Sequence, residues 1–396
     1  MKWFKNILNV VKREINIIAN DKDLLLMLIA APLFYSLFYG TMYIDKTEEK
    51  VPVAVLNLDK STTAENFIKD LNSHQLINVK TQIDDAKLIK DILIKEEVQG
   101  VIVIPENFSQ DLKYLRGTTI KIFLNTHRFL HSNDLNKAVN EIALTKGQEI
   151  KANIFAAKGY NLEQAEEIST PMKDEIHFLF NPSETYGDFL IPAILVLVLQ
   201  QTLLFGLTQS IAKEKEAKTM HELYNFANNN ISSILIGKSF FYIALYMIYA
   251  LFFYTVHFHL FKIPFKGSIF TLALTTFLLL ATISILSLII GSFFSKKVYA
   301  LIFMSFTSYP LFFFTGYTWP IFAMPKIIQY FSYIVPTTPY MQSMNRIINM
   351  GASFQDITPE IINLSLLLIL FIFLAVLRFY TIRKKLKFTF ENNSNE

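Results

Sequence analysis

The sequence predicts an α-helical polytopic membrane protein with six transmembrane helices and an inserted α/β extracytoplasmic domain. Three observations carry this reading. Charge-free apolar runs recur at lengths that cross a hydrocarbon core of about 30 Å, which takes roughly 20 residues. One polar stretch, residues 45–188, separates the first run from the rest. Lysine and arginine crowd alternate flanks of the runs. Composition agrees: 52% of residues are apolar and 18% charged, with 37 Phe and 18 Tyr, against about 25% charged in ordinary soluble domains.

The runs, in order, are Leu24–Ile44, Phe189–Ala212, Ser239–Phe261, Gly267–Ser295, Val298–Pro325 and Ile361–Leu377. The first is too long, too far from the start and too poor in a small-residue cleavage site for a signal peptide. Pro32 inside it is tolerated in a membrane helix. The fifth is interrupted near its end by Gly316, Pro320 and Pro325. No Asp, Glu, Lys or Arg is expected in the interior of any span. Ion-coupled carriers need such groups at depth, so a self-powered carrier is disfavoured.

Orientation follows from the short flanks. One set holds Lys2, Lys5, Lys12, Arg13, Lys22, Lys213, Lys215, Lys218, Lys238, Lys296, Lys297, Arg378, Arg383, Lys384, Lys385 and Lys387. The opposite short loops hold Lys262, Lys266, Lys326 and Arg346. Both termini are therefore expected in the cytoplasm, and residues 45–188 outside. Residues 1–23 place Phe4, Ile7, Leu8, Val11, Ile15 and Ile18 at helical spacing among charges, as in an amphipathic helix on the inner interface.

In the outer segment, VPVAVLNL (51–58), INVKTQI (77–83), GVIVIP (100–105) and TIKIFLN (119–125) read as strands. Helices are expected from Thr62, with Glu65 at capping-box spacing, over Asp84–Glu97, and as one long helix over 133–170. Alternating strand and helix predicts at least partly parallel pairing.

Enzyme signatures do not emerge. With zero cysteines there is no disulfide framework, thiol nucleophile or Cys-based metal site. His127 and His131 stand at i, i+4 but lack the acidic residue of a zinc-protease motif. Ser61 has no glycine-rich elbow and reads as a helix start. A net charge of +4 gives no argument for nucleic acid. His257 and His259 fall near the outer end of the third run. Gln200 and Gln201 are the deepest polar residues of the second run. They suit a translocation path, or interhelical hydrogen bonds.

Two loops stand out. AKEKEAKTMHELYNF (212–226) is charged and ends on Met220, Leu223, Tyr224 and Phe226, an apolar patch suited to a partner's groove. Residues 316–347 are apolar but broken by Pro320, Pro325, Pro336 and Pro339, and read as short helices dipping into the outer leaflet as a re-entrant hairpin.

Several patches together resemble one family: the permease subunits of type-2 ABC exporters, in the branch with a large extracytoplasmic domain between the first two spans. They are VPVAVLNLD (51–59), VQGVIVIPENFSQDL (98–112), FNPSETYGDFLIP (180–192), KEKEAKT, Gly237 with Lys238, and TGYTWPIFAMPKIIQYFSYIVPTTPY. The resemblance implies a coupling loop at 212–230 with Glu214, Glu216, Thr219 and Glu222 facing a separate ATPase subunit. It also implies a homo- or heterodimeric permease, ATP and Mg held on the partner ATPase, a periplasmic adaptor as a further partner, and residence in a bacterial plasma (inner) membrane among its lipids. Lys218 stands where the family usually has Gly, and Phe226-Ala227-Asn228 where it has Pro. No GxxxxGK[ST] phosphate loop occurs in the chain. The competing expectation is a membrane-anchored receptor or binding protein using its outer domain for ligand recognition. Six spans exceed what an anchor needs.

Overall fold

The structure is a computed structural model and describes residues 2–44, 50–170, 177, 179–182 and 184–393. The junction expected after residue 44 borders residues outside this set, and the one expected between 188 and 189 falls within the helix Tyr186–Glu216. The chain divides into two compact units: residues 1–46 with 178–396, and residues 47–177.

The helical unit begins with α1 (Lys2–Ala19). Among the described residues, six helices are long and apolar enough to cross a membrane: α2 (Lys22–Met42), α8 (Tyr186–Glu216), α10 (Ile231–Leu260), α11 (Ile269–Gly291), α12 (Lys297–Phe314) and α15, whose spanning part is Thr358–Leu386. Its shorter helices are α9 (Met220–Phe226), α13 (Lys326–Ser332) and α14 (Thr337–Met350). α8 lies at the centre of the core and packs on α2, α10, α11 and α12. We call the end that holds α1 and α9 basal and the other apical.

Small residues set the closest helix contacts, because lipid gives apolar side chains no drive to associate and backbone approach does the work instead. A Cβ on Gly237 of α10 would sit 2.6 Å from the Val10 side chain of α1. α1 is thereby seated on α10, with Ile7, Val10, Val11 and Ile18 buried. Phe4, Leu8 and Ile15 remain exposed on its other apolar side.

Pro32 leaves a defect in α2, since it supplies no N–H to the Leu28 carbonyl one turn earlier. The segment Leu26–Ala30 takes π-helical register there. The Tyr249 hydroxyl of α10 donates to the Leu28 carbonyl at 3.0 Å. Tyr249→Phe removes that donor and strands a buried acceptor. It should lower stability by about 1–2 kcal/mol, read as a fall in the thermal midpoint of the detergent-purified chain. An unchanged midpoint would show that the carbonyl finds another donor.

The second unit holds a four-stranded sheet in the order β2-β1-β3-β4, built from β1 (Val51–Asn57), β2 (Ile77–Ile83), β3 (Gly100–Ile104) and β4 (Lys121–Leu124). β1 pairs parallel with β2 and β3, and β4 closes antiparallel on β3. Its helices are α3 (Thr62–Ser73), α4 (Leu88–Ile94), α5 (Phe108–Lys113), α6 (Phe129–Ala157) and α7 (Leu162–Ser169). One sheet face packs Val53, Val55, Ile102 and Ile104 under α3, α5 and α6. The other packs Ala54, Leu56 and Val101 against Ile89 of α4. β1 is buried on both faces, which is why its sequence runs apolar without alternation.

Some local expectations are corrected. The cap of α3 is Ser61, which accepts from the Ala64 N–H at 3.2 Å. Glu65 accepts from Asn57 at 2.9 Å and closes no capping box with Thr62. The helix expected over 133–170 is two, parted where Gly159 takes φ +94° and Asn161 caps α7. His127 lies in the turn before α6 and His131 inside it, so they do not share a helix face. The fifth span stops at Phe314, well short of Pro325. Gly316 turns the chain at φ +78°, and Ile321 occupies the space a Cβ there would need. Residues 316–347 fold as short helical segments, Ile321–Ala323, α13 and most of α14. Trp319, Phe322 and Tyr330 are exposed, whereas α14 is largely buried.

Candidate functional site

The basal end of the helical unit holds the four residues expected to couple to an ATPase, Glu214, Glu216, Thr219 and Glu222. α8 does not stop where its apolar run ends at Ala212 but continues one turn to Glu216. It ends in a Schellman turn: the Thr219 N–H bonds the Glu214 carbonyl at 2.9 Å, and the Lys218 N–H bonds Lys215 at 3.2 Å. Lys218 takes φ +57°. This is the left-handed position that glycine fills at least cost.

α9 then runs from Met220 to Phe226. The apolar patch expected to meet a partner mostly faces inward. Met220, Leu223 and Tyr224 are buried, and Phe226 is 48% exposed. The Tyr224 hydroxyl donates to the Phe379 carbonyl of α15 at 2.6 Å. Burial pushes this phenol far above its ordinary range, so it serves only as a neutral donor. Asn228 and Asn229, both left-handed, lead into α10, which Asn230 caps. Asparagine tolerates that conformation better than most residues.

Behind α9 lies a buried ionic cluster. Lys238 of α10 is 0% exposed; its ammonium reaches Glu14 of α1 at 2.7 Å and Glu214 of α8 at 3.3 Å. Arg13 pairs with Glu214 through both of its terminal nitrogens and with Glu222 of α9 at 3.4 Å. Hydroxyls also serve the carboxylates, except at Glu14 Oε2, which has the Lys238 ammonium beside it. Thr219 donates to Glu214 at 2.5 Å, while Ser210 and Tyr242 donate to Glu14 at 2.5 Å and 2.9 Å. Ser210 also accepts from Lys238 at 2.8 Å. Burial works to lower the Arg13 guanidinium. The hydrogen bond and charge of Glu214 outweigh it, so Arg13 is held above its ordinary range. Two cations thus face two buried carboxylates, with Glu222 as a third, exposed partner. Removing water from charges is costly, and such a group persists only when every member is paired.

Of the cluster, Glu214 and Lys238 lie just outside the charge-free runs 189–212 and 239–261, in the longer helices that contain them. Both are buried. Of the four residues expected to face a partner, Glu216 and Glu222 are exposed and Thr219 half-buried, while Glu214 points inward. Glu216 accepts from the backbone N–H of Lys297 at the start of α12, at 2.9 Å. Around the rim, Lys213 meets Asp21 at 2.5 Å and Lys297 meets Asp23 at 2.9 Å. Burial pushes the Asp21 carboxyl up, but Lys213 and two cap N–H groups outweigh it and hold it below the usual range. Lys215 and Arg378 both donate to the Ser292 carbonyl at the end of α11, where cations suit the helix dipole. A cleft of about 460 Å³ opens between α1 and α9, lined by Arg13, Asn16, Lys213, Glu222 and Phe226.

The family model described as "ABC-2 family transporter protein" matches residues 22–377. The chain belongs to the ABC-2 transporter family. Among curated relatives, the linearmycin resistance permease protein LnrN of Bacillus subtilis is 24% identical over 156 residues, 39% of this chain and 38% of the relative. ABC transporter G family member 20 of Dictyostelium discoideum is 22% identical over 351 residues, 88% of this chain and 44% of the relative. The chain thus spans less than half the length of either relative it matches.

In this ABC-2 family member Gln200 and Gln201 tie helices together. Gln200 of α8 accepts a hydrogen bond from Thr337 of α14. Gln201 donates to the Ser308 carbonyl of α12 at 3.1 Å. Pro325 and Pro336 flank the starts of α13 and α14, and Pro339 lies in the first turn of α14. Tyr340 of α14 meets Tyr254 of α10 and Thr276 of α11, each at 2.7 Å. His257, expected near the interface, is fully buried, and its Nε2 lies 2.8 Å from the Ser36 carbonyl of α2.

The cluster itself was missed, yet two signals pointed to it. Glu14 interrupts the stripe Ile7, Val11, Ile18, where only an apolar or paired residue fits. Lys238 follows Gly237 inside what folds as one helix, Ile231–Leu260.

Proposed function

We propose that this chain is the membrane-spanning permease subunit of an ATP-driven exporter of amphipathic molecules. Separate ATP-hydrolysing subunits dock on the basal end, at the exposed face of α9 and the end of α8. A second permease copy completes the path. The bias of lysine and arginine sets the basal end in the cytoplasm.

One observation carries this reading. α9 presents Phe226 outward, while Glu222 reaches Arg13 of α1, its cap Thr219 donates to Glu214 of α8, Tyr224 donates to Phe379 of α15, and Lys238 of α10 stands behind Glu214. A push on α9 is therefore delivered to three spans at once, since packed helices move as units and not as continuous springs. The name of the Bacillus relative, a resistance permease, supports the outward direction.

The test is copurification of an ATPase from detergent and its turnover in the complex. Glu222→Ala with Phe226→Ala removes two largely exposed side chains, of which Glu222 also meets Arg13 at 3.4 Å. It should weaken ATPase docking about tenfold and cost the permease's own fold no more than about 1 kcal/mol, the worth of a largely exposed ion pair. Substrate movement by the chain reconstituted alone, without any ATPase, would refute the proposal.

A further inference from the structure

α1 meets the protein with one face. Ile7, Val10, Val11, Glu14 and Ile18 are buried. Glu14 is held by the Lys238 ammonium at 2.7 Å and by the Ser210 and Tyr242 hydroxyls. Rolling α1 about its axis would pull this carboxylate from its partners and leave a bare charge inside the protein. The opposite face is therefore fixed outward. The apolar stripe expected to meet the membrane interface is thus divided: Ile7, Val11 and Ile18 turn to protein, and Phe4, Leu8 and Ile15 do not.

The outward face is built of two rows. Phe4, Leu8, Ile15 and Ala19 recur at helical spacing, all exposed. Lys5, Asn9, Lys12 and Asn16 form the next row round the helix, with both lysines exposed. Glu14 is the sole carboxylate of α1, so the surface of this helix carries Lys2, Lys5 and Lys12 and no anion. Among the described residues neither Lys5 nor Lys12 pairs with a carboxylate. Only Asn20 and Asp21 join α1 to α2, whose Leu26, Ile29 and Phe34 are exposed and apolar, as a lipid-facing surface requires. The short link keeps the rows of α1 next to the leaflet that α2 enters.

We propose that the outward face of α1 is a binding site for anionic phospholipid of the basal leaflet. Phe4, Leu8 and Ile15 lie among the acyl chains, and Lys5 and Lys12 hold headgroup phosphates. An apolar row flanked by ammonium groups matches a leaflet of anionic lipid, in which alkyl chains lie directly beneath phosphate. Lipid held there braces the helix that carries Arg13 and Glu14 into the ionic cluster. The inference needs only that the helices cross a bilayer, and it stands whether or not an ATPase docks on α9.

Lipid competition at a single indole tests it. The chain has two tryptophans. In the full chain with Trp3→Phe and Trp319→Phe, Leu8→Trp places the one remaining indole between Lys5 and Lys12. Brominated phosphatidylglycerol should compete for that position at least about fivefold better than brominated phosphatidylcholine, the effect of one lysine near a lipid surface. Lys5→Gln with Lys12→Gln should bring the preference to near unity. Lys296→Gln with Lys384→Gln removes as much charge from elsewhere at the basal end and should leave the preference intact. If Leu8→Trp does not fold, Phe4→Trp reports from the same row. Absence of quenching by either lipid would mean that this face meets protein or water. That result, equal quenching by both lipids, a preference that survives the loss of Lys5 and Lys12, or one abolished by the distant pair would each overturn the proposal.

Discussion

Lys238→Met should cost the protein about 3–5 kcal/mol, the range for breaking one partner out of a buried ion pair. The native ammonium serves Glu14 at 2.7 Å and Glu214 at 3.3 Å with no exposure to water. Methionine fills much the same space, so lost packing explains little of the effect. What remains is two buried carboxylates with Arg13 as their one nearby cation. The measurement is thermal unfolding of the purified chain in detergent. Adding Glu14→Gln removes the uncompensated charge and should recover at least half of the lost stability, because an absent pair is cheaper than a broken one. A single variant that melts with the parent would show that the cluster is not a closed ion-pair network.

Gly291→Val should destabilise by about 3 kcal/mol, at the upper end for overpacking. A Cβ at Gly291 would lie 2.6 Å from the Thr208 carbonyl oxygen and 3.1 Å from the Thr208 Cα. Both are backbone atoms of α8, so no side-chain rotation relieves the contact and the two spans must separate. The Thr208 hydroxyl bond to the Ser287 carbonyl, 3.3 Å, is stretched with them. Gly117, which has open space around it, is the control: Gly117→Ala should change stability by less than about 0.5 kcal/mol. Equal midpoints for Gly291→Val and the parent would mean that α8 and α11 do not pack this closely.

The spans were legible because lipid imposes a length and a polarity on each of them, with little left to context. Helix ends were less legible. α8 and α10 carry Glu214 and Lys238 inside helices whose apolar runs, taken alone, exclude them. A charge counts against a span only while it is unpaired, and pairing is a tertiary fact. The strands at 51, 77 and 100 were legible from their β-branched runs and their turns. The split of α6 from α7 was not, since Gly159 inside a helical pattern ends a helix only when the following segment folds back.

By itself the sequence determined that this chain crosses a membrane six times, carries an inserted α/β unit, and bears its cations mainly at the basal flanks. These follow from composition and period, which act residue by residue. Only the tertiary structure decided which of the charged residues in the loop after the second span face outward. It turned Glu214 in toward Lys238 and left Glu222 at the surface. The reason is that a buried carboxylate is tolerable only where a cation from another helix meets it, and the spacing of residues along the chain does not say which helices will meet.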